Sequence, residues 1–139
     1  MRQAVLLDAG PLVAVLNRRE QHHQWAVAQW KALRPPLLTC EAVLSEACFL
    51  LRNVRGGSDS VMEFIERGSV DVALRLQDET TRVRELMFRY RDVPMSLADA
   101  CLVRMSEQHS GATVLTLDSD FRLYRKHGRQ SIPTLAPEP

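Results

Sequence analysis

Lysine is nearly missing from this 139-residue chain, which has two lysines against sixteen arginines. Chemistry that needs a lysine amine has only Lys31 and Lys126 to draw on, and neither is well placed for it. Cysteine is scarce as well. Cys40, Cys48 and Cys101 form no CxxC pair and lie in apolar neighbourhoods, so they read as small buried hydrophobes in a reducing, cytoplasmic compartment. His22 and His23 are adjacent and cannot share a helix face, while His109 and His127 stand alone, so a zinc site is not expected. No apolar stretch approaches the roughly 20 residues that span a bilayer. The N-terminus shows no basic region, apolar segment and cleavage site in series, so no secretion signal is expected. An excess of one charge is also lacking: the net charge is +1, which excludes a global basic field that would draw the chain onto nucleic acid indiscriminately. The arginine bias suits bidentate phosphate contacts, but codon composition explains it equally well.

What remains is an ordinary globular composition, 45% hydrophobic and 25% charged. The length predicts one domain, residues 1–135, with residues 136–139 as a frayed end.

Ala4-Val5-Leu6-Leu7 is wholly apolar, reaches Asp8, and turns through Gly10 and Pro11 into a second apolar run. Such a run fits a strand buried on both faces, followed by a helix over Leu12 to Leu16. A helix is predicted over about 21–33, stopped by Pro35-Pro36, then a strand at Leu37-Leu38-Thr39. A helix over 41–54 follows, ended by Gly56-Gly57-Ser58, with a further helical turn or two over 60–66 and a thin strand at Val70-Asp71-Val72. Val83, Leu86, Met87 and Tyr90 stand at i, i+3, i+4 and i+7 on an amphipathic helix, whose arginines read as its solvated face. Ser96 caps a helix to about Gln108. Thr113 to Leu117 is a β-branched strand, Asp118 to His127 a last short helix, and Ile132 to Leu135 an edge strand that tolerates Pro133. Strands alternate with helices, which implies an α/β/α sandwich with a mainly parallel sheet.

Four acids stand out. Asp8 and Asp118 follow strands, where open α/β sheets place their ligands, although each also suits a helix cap. Glu46 has Ala42, Val43, Phe49 and Leu50 as its face neighbours, so it is expected on the packing side of its helix. Asp99 is spaced from Ser96 as in a capping box, which explains it locally, yet its other face neighbours include Met95, Leu102 and Val103. If the four converge, their mutual repulsion raises at least one pKa and calls for a counter-cation. All-oxygen ligation favours Mg²⁺ or Mn²⁺. Such a site activates water and stabilises phosphate charge during phosphodiester cleavage.

The segments Leu7-Asp8-Ala9-Gly10-Pro11-Leu12, Leu44-Ser45-Glu46-Ala47, Tyr90 to Ala100 and Thr116-Leu117-Asp118-Ser119-Asp120-Phe121 resemble the four acidic motifs of PIN-domain nucleases. More narrowly they resemble VapC-type toxins of VapBC toxin–antitoxin modules, over nearly the whole chain. The resemblance implies an α/β/α fold and divalent-metal-dependent endoribonuclease activity. It carries over Asp8, Glu46, Asp99 and Asp118 as catalytic, metal-binding acids, with Asp120 accessory and Thr116 orienting a carboxylate or water. His23 falls where relatives often have a histidine, with no chemistry assigned. Implied partners are an RNA substrate and a cognate antitoxin, and Trp25, Trp30, Phe49 and Leu50 mark a surface for docking and a homodimer. The alternatives are a PIN-domain RNA-processing nuclease outside a toxin module and a non-catalytic PIN-like binding module. A haloacid-dehalogenase-like phosphatase is disfavoured because Gly10 stands where it wants a second Asp, and because neither lysine suits.

Overall fold

The structure, a computed structural model, describes residues 3–139; Met1 and Arg2, the start of the expected domain, lie outside the described residues. Five short strands form the main sheet: β1 (Val5–Leu7), β2 (Leu37–Thr39), β3 (Val70–Val72), β4 (Thr113–Leu115) and an edge strand, β7 (Thr134–Leu135). Their order is β3-β2-β1-β4-β7, and every pairing is parallel. The alternation of apolar runs with helices dictates this, because parallel neighbours need a crossover between them. A separate antiparallel hairpin joins β5 (Arg125–Lys126) to β6 (Gln130–Ser131).

Six helices flank the sheet: α1 (Ala9–Leu16), α2 (His23–Ala32), α3 (Glu41–Leu50), α4 (Gly57–Glu66), α5 (Leu76–Arg89) and α6 (Leu97–Gln108). The helix α6 packs against β1 and β4, α3 touches α1, α4 and α6, and α5 lies on α6. The core runs from Leu6 and Leu7 through Leu12, Val43, Leu86, Leu102 and Met105 to Phe121 and Tyr124, all 0% exposed. His23 packs its ring Nδ1 2.6 Å from the Ala14 carbonyl oxygen, which ties α2 to α1.

Three expectations need correction. The helix expected over 41–54 stops at Leu50, and Gly56, with φ +72°, instead precedes the start of α4. The first helix begins directly after Asp8 rather than at Leu12. The helix expected over 118–127 is a single 3₁₀ turn, Ser119–Arg122, followed by the β5–β6 hairpin. The hairpin wins because His127 (φ 52°) and Gly128 (φ 83°) take left-handed conformations that turn a twisted ribbon and end a helix.

The connections leave β1 and β4 in opposite directions, since β2 and β3 lie on one side of β1 and β4 and β7 on the other. The carboxyl ends of β1 and β4 therefore form the switch point where such sheets open a crevice. Asp8 and Thr116 stand at that point.

Candidate active site

Asp8 is the N-cap of α1 and 6% exposed. Its Oδ1 accepts the Ala9 N–H at 2.8 Å, and its Oδ2 accepts the Thr116 hydroxyl at 2.6 Å. Its own N–H donates to the Leu115 carbonyl at 3.0 Å, which locks the end of β1 against β4. The Thr116 hydroxyl also accepts the Asp118 N–H at 2.9 Å, so one buried oxygen sets both strand-end acids. Asp118 in turn caps the 3₁₀ turn by accepting the Asp120 N–H at 2.9 Å. Asp8 and Asp118 are thus caps as well as site residues, and each carboxylate oxygen so engaged retains a further lone pair.

Asp99 lies in the first turn of α6, 8% exposed, with its N–H donating to the Ser96 hydroxyl at 3.0 Å. The Tyr124 hydroxyl donates to Oδ2 of Asp99 at 2.9 Å. Tyr124 is a site residue that sequence reasoning missed, because it lay within a segment read as helix. The ring of Tyr124 meets Phe121 at 5.2 Å and Tyr90 at 5.1 Å, both edge-on, which fixes the hydroxyl in place.

Glu46 corrects another expectation. It was expected on the packing side of α3, but the buried residues of that helix are Val43, Leu44 and Ala47, and Glu46 is exposed. Its apolar neighbours Phe49 and Leu50 face solvent at 62% and 48% exposure. The apolar face seen in the sequence is an uncovered surface, and Glu46 stands at its edge.

Asp8, Glu46, Asp99 and Asp118, with Gly10, Leu50 and Leu117, line one cavity of about 230 Å³. Asp120 does not line it. A Cβ at Gly10 would stand 3.2 Å from Cβ of Leu117, so this close approach leaves no easy room for an acid at position 10. Burial pushes the Asp8 carboxyl up from 3.8 to about 6, against the Thr116 and Ala9 hydrogen bonds; the Asp99 and Glu46 charges push the same way. Glu46, although exposed, is raised first by partial desolvation where it lines the cavity and then by Asp99 and Asp118. Asp99 is raised by burial, opposed by Tyr124 and reinforced by Asp118. Mutual repulsion is therefore present but secondary: desolvation is the larger cause in all three.

No lysine or arginine lines this cavity. The four carboxylates that line it form an all-oxygen donor set, which fits a hard divalent ion better than zinc or copper. Among the described residues, no three His, Cys, Asp or Glu side chains are gathered closely enough to grip an ion as they stand. An ion would have to draw the carboxylates inward.

This arrangement, acids around the switch point of a five-stranded parallel sheet, defines a class of α/β proteins with a carboxylate-lined crevice. The PIN domain family profile matches residues 5–127, and the chain belongs to that family. Among solved structures it is similar to Mycobacterium tuberculosis VapC20, described as a sarcin-ricin-loop-cleaving toxin. That likeness has a TM-score of 0.72 at 20% identity, over 84% of this chain and 92% of that one, and is a likeness of fold. No curated protein matches the chain in sequence.

Proposed function

We propose that this PIN-domain protein is a divalent-metal-dependent endoribonuclease that acts as the toxin of a toxin–antitoxin pair. The observation that carries the reading is the shared cavity of Asp8, Glu46, Asp99 and Asp118 at the switch point. These four residues would hold Mg²⁺ or Mn²⁺. When bound, such an ion activates water and stabilises charge on the phosphate during phosphodiester cleavage. Thr116 fixes Asp8 in one rotamer through its hydroxyl and positions Asp118 through the same oxygen. Tyr124 does the equivalent for Asp99. Asp120 is accessory: its N–H holds the Asp118 carboxylate, while its own side chain stays off the cavity.

The likeness of fold to a sarcin-ricin-loop-cleaving toxin supports RNA as substrate, with a restraining antitoxin as partner. No helix among the described residues is long and apolar enough to cross a membrane; a cytoplasmic location is part of the same proposal. The exposed Phe49 and Leu50 beside Glu46 support α3 as a place where a second copy or the antitoxin docks. Trp25 and Trp30 contribute less than expected to such a surface. Both are partly buried against the core, and Trp30 meets Phe64 at 4.7 Å.

The test is digestion of total RNA with Mg²⁺ or Mn²⁺ and mapping of the fragment ends, beside EDTA and Asp8→Asn controls. Cleavage that survives both controls would remove the metal-site reading. RNA binding without turnover would favour a non-catalytic module.

A further inference from the structure

The β5–β6 hairpin, the 3₁₀ turn before it and the end of α5 bring together Arg89, Arg91, Arg122, Arg125, Lys126 and Arg129. Hydrogen bonds tie these segments into one wall. The backbone N–H of Arg125 donates to the Tyr90 hydroxyl at 2.9 Å, Arg89 Nη2 donates to the Gly128 carbonyl at 2.7 Å, and Arg125 Nη1 donates to the Arg122 carbonyl at 2.7 Å. The wall adjoins the acid cavity: Tyr90 packs on Tyr124, whose hydroxyl holds Asp99.

Among the described residues, none of the six cations sits in an ion pair. Arg82 and Arg104, by contrast, are taken up by Glu79, Glu85 and Glu107. Asp92 and Asp120 are the carboxylates nearest to the wall in sequence, Asp118 and Glu138 line a cavity with Arg122, and Glu85, paired with Arg82, lines one with Phe88. Glu107, which accepts the His127 N–H at 2.7 Å, is already held by Arg82 and Arg104. At its α5 end the wall carries Phe88, 69% exposed, with the Arg91 guanidinium stacked 4.2 Å from its ring centroid and bonded to its carbonyl at 2.7 Å. The chain as a whole is nearly neutral, so an unpaired basic cluster with an open aromatic face is a local feature.

We propose that this wall binds the phosphate backbone of single-stranded RNA, with Phe88 as a stacking platform for one base. Its occupant is set by charge complementarity, since unpaired arginines take phosphate and an exposed ring tolerates any base. The inference rests on the ribonuclease reading and names where the strand is held outside the acid cavity.

The test uses the full chain and a fluorescein-labelled single-stranded RNA oligonucleotide, titrated without divalent ions over a salt series. Removing two cations in Arg122→Gln/Arg129→Gln lowers the slope of log affinity against log salt by about 1.4, at about 0.7 per contact. Arg122→Lys/Arg129→Lys keeps the slope. Phe88→Ala weakens binding about tenfold at every salt concentration, on the scale of one lost stacking contact, and Phe88→Trp restores it. In cleavage assays with Mg²⁺, the Gln pair raises KM with kcat unchanged. Wild-type slopes and KM in both sets of variants, with cleavage intact, overturn the wall and leave the nuclease standing. Variant-sensitive binding without cleavage by wild type leaves the wall standing and overturns the nuclease. Unchanged RNA binding with lost self-association also overturns the proposal, and assigns the face to a protein contact.

Discussion

Thr116 donates its hydroxyl hydrogen to Oδ2 of Asp8 at 2.6 Å, across the seam where β1 and β4 run side by side. That bond lowers the Asp8 pKa against a larger burial penalty, and the balance leaves it at about 6. Thr116→Val removes the donor at nearly constant volume, so Asp8 protonates more readily and the Asp118 N–H loses its acceptor. The expected result is a loss of about 10- to 100-fold in activity, the range found when a partner of a metal ligand is removed. The acid limb of the pH–rate profile moves to higher pH, and Thr116→Ser restores both. A profile that does not move would reduce Thr116 to a packing residue.

Asp8→Asn is expected to abolish cleavage and keep the fold. In the metal-free protein it also changes the pH dependence of stability. The folded carboxyl holds its proton to about 6, against an ordinary 3.8, so between these limits the folded state binds more protons than the unfolded. Stability from this group is present at low pH and is lost as pH rises through that window. The variant lacks the loss, so its stability relative to wild type grows from pH 4 to 6, by at most about 3 kcal/mol. Glu107 runs the other way. Despite its burial, its bonds to Arg82, Arg104 and the His127 N–H bring its carboxyl down to about 2, so its contribution is lost only as pH falls below 4.5. Denaturant melts of both proteins in EDTA across pH 4 to 7 read the difference. Mg²⁺ or Mn²⁺ at pH 7 should then stabilise wild type and leave Asp8→Asn largely unaffected. A variant that loses ground to wild type as pH rises in EDTA would contradict the assignment.

Tyr124→Phe keeps the edge-on contacts with Phe121 and Tyr90 and deletes only the hydroxyl on Asp99. Because that hydrogen bond lowers the Asp99 pKa, its removal raises it further. The variant should bind divalent ions about tenfold more weakly and show its largest activity deficit at the acid end of the pH profile. Folding stability should fall by about 1 kcal/mol, typical of one hydrogen bond. Unchanged metal affinity would make Tyr124 a core residue only.

The strand-end acids were legible in the sequence because their signals are local. A short strand-like run that reaches an acid just before turn residues marks both, with Ala9-Gly10-Pro11 after Asp8 and Ser119 after Asp118. The parallel sheet followed from the alternation of elements. Glu46 misled for a physical reason: apolar neighbours at helical spacing mark a face that avoids water or one that awaits a partner, and sequence period does not separate the two. Phe49 and Leu50 turned out to face solvent. Tyr124 was hidden because its contact with Asp99 spans 25 residues and crosses a segment whose helical reading failed at His127 and Gly128.

The uncovered face of α3 yields the last prediction. Leu50 both lines the acid cavity and stands 48% exposed, and Phe49 beside it is 62% exposed. A protein that covers these side chains also covers the mouth of the cavity, so one surface can serve restraint and recognition together. A nuclease that cuts cellular RNA harms its host unless restrained, and a carboxylate-lined cavity invites a basic plug. An antitoxin encoded beside this gene should therefore co-purify with the chain and suppress cleavage, and the free chain should form a homodimer through part of the same face. Replacing the side chain that stands off the cavity, Phe49→Gln, should weaken these contacts about 30-fold, as loss of about 2 kcal/mol at a central anchor does. Intrinsic cleavage should persist. Light scattering reads the dimer, and growth reads the restraint. Expression of wild type alone should slow growth, Asp8→Asn should not, and the α3 variant should remain toxic even beside the antitoxin. If wild type is harmless at high expression and cuts only one RNA precursor in vitro, the toxin assignment falls and a processing nuclease replaces it.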